Sequence, residues 1–352
     1  MFQDMSARPN DSPGTAGTAL RYCTDSDPGL ARIGRPGHVR YLGLDGKPVR
    51  DKTILARIRR LAIPPAWREV WIAPDANAHL QATGRDAKGR KQYRYHPGFV
   101  ALRDEAKYTH LLEFAKGLPA LRKRLKNDLR RSGLPREKVL ATVVILLEET
   151  LARVGTEDYA RANGSFGLTT LRNRHVRVRG QSLRFRFRGK SGKTWNLSIR
   201  DRRIAKIVSS CQDLPGQHLF EYLDGDGVVA SVSSSDVNSY LRNATGRDIT
   251  AKDFRTWAGT VKAAVHFSRL QEAPSKKHTR QVVAAVAAEL GNTVAVCRRC
   301  YIHPQVIAAH EAGQLKLRFP KKAAGGLSAE ERGVLSFLRK YSRSPGRGGR
   351  NG

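Results

Sequence analysis

Residues 172–206 constrain the fold of this chain more than any other stretch. They hold thirteen Lys or Arg and one acid, Asp201, a net charge of +12 in 35 residues. The stretch is not low in complexity. Leu183, Phe185 and Phe187 alternate with Arg184, Arg186 and Arg188, the period of a strand with one face in a core. Gly189-Lys190-Ser191-Gly192-Lys193 supplies a tight turn, and Trp195, Leu197 and Ile199 resume the alternation. The pattern predicts a β-hairpin with an apolar face inward, an arginine face outward and Lys190 at or near its tip. Three arginines on one strand face repel one another unless an anion lies across them. A phosphate backbone is such an anion.

The charge of the whole chain points the same way. Its 352 residues carry 64 Lys and Arg against 31 Asp and Glu, a net of +33. A protein with that imbalance repels itself and calls for a polyanionic partner, nucleic acid before any other. An anionic membrane surface would ask for a basic amphipathic segment or a lipidation signal, and neither is found. The last 37 residues contribute a net of +8, so a basic tail accounts for only a quarter of the total. A second basic island runs from Gly84 to Tyr95. There Arg85 and Lys88 can grip phosphates while Gln92, Tyr93 and Tyr95 touch bases. No apolar run approaches a membrane span. Four cysteines make no disulfide framework. Cys297 and Cys300 form one C-x-x-C pair with no second pair nearby, and read as reduced helical cysteines rather than a zinc or redox site.

Residues 1–19 are polar, rich in Gly, Pro, Ser and Asp, and read as a disordered leader. Residues 20–98 are strand-like, with Val70-Trp71-Ile72 and His79 to Thr83 as short strands and Ile63-Pro64-Pro65-Ala66-Trp67 as a rigid connector. After Pro97 the apolar period becomes helical. Helices are predicted at 135–154, 233–243, 250–270, 280–290 and 304–312, with the arginine hairpin as an island of β structure. The expected architecture is α+β. A small β-rich N-terminal domain, 20–98, precedes a larger, mainly helical domain, 99–320, and a basic tail, 321–352. Two basic domains on a short linker could close around a duplex.

There is no compact carboxylate cluster for Mg²⁺, no Walker loop and no H-E-x-x-H motif. Phosphodiester chemistry without a metal needs cations around the phosphate and a nucleophile. Five segments in order supply them, and together they resemble the type IB DNA topoisomerases of the poxvirus and bacterial kind. The 63–67 connector, with Ala82-Thr83-Gly84-Arg85-Asp86 and Gln92-Tyr93-Arg94-Tyr95, resembles that family's N-terminal DNA clamp. Arg153-Val154-Gly155, followed by Tyr159 and Gly167-Leu168-Thr169-Thr170-Leu171, resembles the segment of its first catalytic arginine. Gly189-Lys190 resembles its catalytic lysine turn. Lys252-Asp253-Phe254-Arg255-Thr256 resembles the helix start bearing its second arginine. Cys300-Tyr301, nine residues after Asn292, resembles its nucleophile segment.

The resemblance implies a larger domain related to the tyrosine recombinase catalytic fold, and a monomeric enzyme that relaxes supercoils of either sign in double-stranded DNA. It would act through transient cleavage of one strand, rotation and religation, with no cofactor, no ATP, no metal and no small-molecule substrate, in the bacterial cytoplasm at the nucleoid. Tyr301 would form a 3′-phosphotyrosyl ester, Arg153 and Arg255 would hold the nonbridging oxygens, and Lys190 would protonate the leaving 5′-oxygen. Lys193 competes for that last role. Lys252 either assists it or contacts phosphate. Tyr159, Arg85, Lys88, Gln92, Tyr93, Tyr95, Arg184, Arg186 and Arg188 would bind DNA. Many members of the family carry histidine where this chain has Asn292, whose amide can orient a phosphate oxygen but cannot transfer a proton. The residue would otherwise simply cap the helix ending near Leu290. Two other readings fit the charge. A tyrosine recombinase usually carries His-x-x-Arg where Lys252 to Arg255 stand, and an architectural DNA-binding protein would leave Tyr301 in register with three cations unexplained.

Overall fold

The computed structural model describes residues 20–35, 38–270, 272–321 and 323–342. The expected leader, 1–19, and the last ten residues lie outside them. The chain divides into two units, Met1–Lys107 and Tyr108–Gly352. The division falls later than the expected 98/99 boundary.

The first unit is an antiparallel five-stranded sheet. Its strands are β1 (Leu30–Arg35), β2 (His38–Leu42), β3 (Arg68–Ile72), β4 (Leu80–Arg85) and β5 (Lys91–Tyr95), in the order β2-β1-β3-β4-β5. One short helix, α1 (Lys52–Arg60), interrupts the strands and was not foreseen. Nine residues are too few to show a helical period clearly, but the start signal was legible. Asp51 accepts the N–H groups of Thr53 and Ile54 at 2.7 and 3.2 Å and so caps the helix. Ile58 of α1 packs with Leu30, Val70, Ile72 and Ala82 in a small separate core.

Helix α2 (Pro97–Asp128) starts in the first unit and continues into the second. It is followed by α3 (Arg136–Thr150) and α4 (Glu157–Asn163). A three-stranded antiparallel sheet comes next: β6 (Val176–Arg179), β7 (Ser182–Arg188) and β8 (Thr194–Arg200). Then come α5 (Arg202–Gln212), a small hairpin of β9 (Glu221–Leu223) and β10 (Val229–Ser231), and α6 (Ser234–Thr245). The unit ends with α7 (Ala251–Ser268), α8 (Lys276–Glu289), α9 (Val294–Cys300), α10 (Pro304–Glu311) and α11 (Ala329–Ser342). The arginine hairpin is as the alternation predicted. Leu183, Phe185 and Phe187 are buried, and Arg184, Arg186 and Arg188 are exposed. Strand β6 widens it into a sheet, with Arg177 opposite Arg184.

The core of this unit is centred on α3, which buries Val139 to Val144, Leu146 and Leu147 and is therefore apolar on nearly every side. The expected basic tail needs correction. Residues 329–342 form α11, whose Val334, Leu335, Phe337 and Leu338 are buried in the same core. Those four apolar residues recur at helical spacing; the surrounding Lys and Arg obscured them. Glu331 of α11 bonds Arg122 of α2 and the Trp257 indole N–H of α7, and Arg122 also pairs with Glu148 of α3. Among the described residues no helix is long and apolar enough to cross a membrane.

Candidate active site

Helix α3 ends at Leu151, which takes a left-handed conformation (φ 55°) and turns the chain toward Arg153. The backbone beyond it is pinned by residues 167–170. Leu168 N–H donates to the Arg153 carbonyl at 2.9 Å, and both the N–H and the hydroxyl of Thr169 donate to the Val154 carbonyl, at 2.8 and 2.9 Å. Two glycines permit this approach. A Cβ on Gly167 would lie 2.5 Å from the Gly155 Cα, and Gly155 itself has φ +92°. The two sequence segments around Arg153 and Gly167 are thus one structural unit.

Arg255 is only 3% exposed, in the second turn of α7. One terminal nitrogen donates to the Leu151 carbonyl and the other to the Leu290 carbonyl at 2.6 Å. The side chain therefore joins the ends of α3 and α8. Its Nε is buried without a hydrogen-bond partner. Nothing in the sequence marked Leu151 or Leu290, since a carbonyl acceptor is the same on every residue.

Arg153 donates to Asn292 Oδ1 at 2.6 Å. Arginine has donors only, so the amide oxygen must face it and the amide nitrogen must face away. That nitrogen is buried and has no partner. The backbone of Asn292 does a second job. Gly291 takes φ +62° and the Asn292 N–H returns to the Ala287 carbonyl at 2.9 Å, closing the end of α8. Capping and side-chain recognition are therefore combined at one residue, at different atoms.

Tyr301 follows α9, with its N–H on the Cys297 carbonyl at 3.0 Å. Its ring is half-buried, and the Arg255 guanidinium lies 5.0 Å from the ring centre. Burial pushes the phenol's pKa up, but the charges of Arg255 and Arg153, a hydrogen bond from Arg255 and the charge of Lys252 outweigh it and hold the group below its ordinary 10.0. Burial, with Arg153 next, lowers the pKa of Arg255; a guanidinium remains charged at any physiological pH. Lys252 is exposed in the first turn of α7. The start of that helix is set by Asp253, which accepts the Thr250 N–H at 2.8 Å.

The structure thus gathers Arg153, Arg255, Asn292 and Tyr301, with Lys252 in electrostatic range. Lys190 stands exposed in the β7–β8 turn, where Ser191 takes φ 64°. The turn is fixed to the cluster by its base. Trp195 fills the space beside Gly291, where a Cβ would meet the indole at 2.6 Å, and Phe166 N–H donates to the Arg188 carbonyl at 2.7 Å. Lys193 is equally exposed, so burial does not separate the two lysines. Tyr159 sits half-buried on α4. Arg184, Arg186 and Arg188 share the outer face of their sheet with Arg177 and Arg200, which the alternation argument had not included.

In the first unit, Asp86 organises the turn between β4 and β5. It accepts the backbone N–H groups of Lys88 and Arg90 and the side chains of Arg90 and Gln92. Arg85 pairs with Glu69 at 2.8 Å, Lys88 is exposed at the turn, and Tyr93 and Tyr95 stack with ring centres 6.0 Å apart. Among the described residues no group of three or more His, Cys, Asp or Glu could hold a metal ion. Cys297 is buried, which pushes its thiol up to about 11; an inert packed thiol is the result.

Two family models match the chain. Residues 90–319 match the catalytic core of eukaryotic DNA topoisomerase I, and residues 38–86 match the N-terminal domain of bacterial DNA topoisomerase IB. DNA topoisomerase 1B of Acanthamoeba polyphaga mimivirus is 32% identical over 259 residues, covering 70% of this chain and 77% of the relative. DNA topoisomerase 1B of vaccinia virus (strain Copenhagen) is 20% identical over 249 residues, covering 68% and 75%. DNA topoisomerase 1 of rabbit fibroma virus (strain Kasza) is 22% identical over 242 residues, covering 65% and 72%.

Proposed function

The chain belongs to the type IB DNA topoisomerase family, and from that membership we propose how its residues divide the work. Tyr301 is the nucleophile. Its phenolate oxygen attacks the scissile phosphorus, the bond to the 5′-oxygen breaks, and a 3′-phosphotyrosyl ester remains. Lys190 gives its proton to the departing 5′-oxygen, with Lys193 as its competitor and Lys252 assisting. Religation runs the same path backwards: the 5′-hydroxyl returns its proton, attacks phosphorus and releases Tyr301. One ester is exchanged for another, so neither ATP nor hydrolysis enters. Between the two steps the cut strand rotates, and supercoils of either sign dissipate. The enzyme acts as a monomer, and no metal takes part.

Arg153, Arg255 and Asn292 bind the nonbridging oxygens, on which charge builds in the pentacoordinate transition state. The observation that carries this reading is the pair of buried donors left over when the cluster is assembled, Arg255 Nε and Asn292 Nδ2, beside the cation-flanked ring of Tyr301. Buried donors in native proteins find acceptors, and a phosphate presents several. The arginine face of β6–β8 and the Arg85 to Tyr95 segment bind the flanking duplex.

Relaxation of a supercoiled plasmid in EDTA tests the proposal. Wild type should relax both positive and negative supercoils and should trap DNA covalently on denaturation. Tyr301→Phe should still bind DNA and do neither. Strand exchange between plasmids would point to a recombinase, and a wild type that never nicks DNA would leave only an architectural role.

A further inference from the structure

The placement of Tyr301 is what the proposed chemistry tolerates least, since a displacement of about 1 Å can cost two orders of magnitude in rate. Its ring lies against Arg255, but its backbone is held by residues that take no part in the cluster. Tyr108 of α2, 8% exposed, directs its hydroxyl at the carbonyls of Arg299 and Ile302, at 3.2 and 3.1 Å. Those carbonyls lie on either side of Tyr301, so one shared proton ties down both flanks. On α7 the fully buried Thr260 hydroxyl accepts the His303 N–H at 3.1 Å while donating to the Thr256 carbonyl at 2.8 Å. The neighbouring Gly259 is a poor helix former in the middle of a helix. Its use is a close approach: a Cβ there would lie 2.5 Å from the Tyr301 carbonyl.

We propose that Tyr108 and Thr260, with the gap left by Gly259, are positioning residues that hold the Tyr301 segment in its reactive placement before DNA binds. The inference rests on Tyr301 being the nucleophile. Neither hydroxyl touches the phosphate. Each acts through the backbone, Tyr108 on the carbonyls of residues 299 and 302 and Thr260 on the N–H of residue 303.

Single-turnover cleavage of a duplex oligonucleotide tests it, with Tyr108→Phe, Thr260→Val and Gly259→Ala beside wild type. Each variant should form the covalent complex about 10- to 100-fold more slowly. Religation crosses the same transition state and should slow as well. DNA affinity should stay within about twofold, and Thr260→Ser should recover most of the rate. A duplex with sulfur in place of the scissile 5′-oxygen separates positioning from proton transfer, because a thiolate departs without a proton. On that substrate Lys190→Ala should recover and the positioning variants should not. Wild-type rates in Tyr108→Phe and Thr260→Val would overturn the inference. So would recovery on the sulfur substrate, or a loss that merely follows lowered thermal stability. A wild type that forms no covalent complex would overturn the nucleophile reading, and this inference with it.

Discussion

At the scale of single residues, the site works by assigning several duties to each side chain. Arg255 joins two helix ends through its terminal nitrogens, lowers the pKa of Tyr301 and leaves Nε buried without a partner. Asn292 caps with its backbone, holds Arg153 with its oxygen and keeps its nitrogen in reserve. The lowered pKa of Tyr301 has a signed consequence. On the proposed roles the reactive form is the phenolate, so the rising limb of the pH profile of single-turnover cleavage should have its midpoint below the ordinary 10.0. Arg255→Gln removes the largest opposing charge and leaves burial to act. Its profile should level off at higher pH, with a maximal rate lower by about 10²-fold or more. A profile unmoved by that substitution would show that Arg255 does not set the Tyr301 pKa. Asn292 adds no titration of its own, as its amide cannot ionise.

At the scale of elements, the β7–β8 hairpin was the most legible part of the chain, and its third strand, β6, was not foreseen. Period-2 alternation is a local signal, and β7 carries it over seven residues without a break. Its arginine face predicts a salt effect. Each phosphate contact contributes a slope of about 0.9 in log affinity against log salt. Replacing Arg184, Arg186 and Arg188 together by Ser should therefore lower the slope of DNA binding by about 2 to 3. The same variant should fold as wild type does, because all three side chains are exposed. An unchanged slope would remove this face from the interface. Helices α3, α7 and α8 were equally readable from their periods, whereas α1 and α4 are too short for a period to stand out. Helix α11 was lost for another reason, since net charge over a window conceals a buried stripe within it.

At the scale of the whole catalytic unit, α11 is a brace rather than a tail. Glu331 is 8% exposed and links α2, α7 and, through Arg122, α3. The last two elements present Arg255 and lead into Arg153. Burial pushes the Glu331 carboxyl up, but hydrogen bonds from Arg122 and the Ser328 N–H outweigh it and hold its pKa below the ordinary 4.5. A carboxylate depressed in the folded state stabilises the fold above its unfolded pKa, and that contribution is lost as pH falls through the folded value. Glu331→Gln should therefore cost about 3 kcal/mol at neutral pH, measured by denaturant unfolding. The gap to wild type should close at a pH below 4.5. A gap independent of pH would mean that the carboxylate's charge is not what holds the brace. By itself the sequence determined the polyanionic partner, the arginine hairpin, helices α3, α6, α7, α8 and α10 and the order of Arg153, Lys190, Arg255, Asn292 and Tyr301, because charge, period and spacing are carried by residue identity; the long α2, α5 and strand β6 came only from the structure. The tertiary structure alone decided that Arg255 reaches the carbonyls of Leu151 and Leu290, that Asn292 faces Arg153, and that Tyr108 and Thr260 flank Tyr301. Those are contacts between residues up to 194 positions apart, many of them to backbone atoms that every residue shares, and no local pattern can encode them.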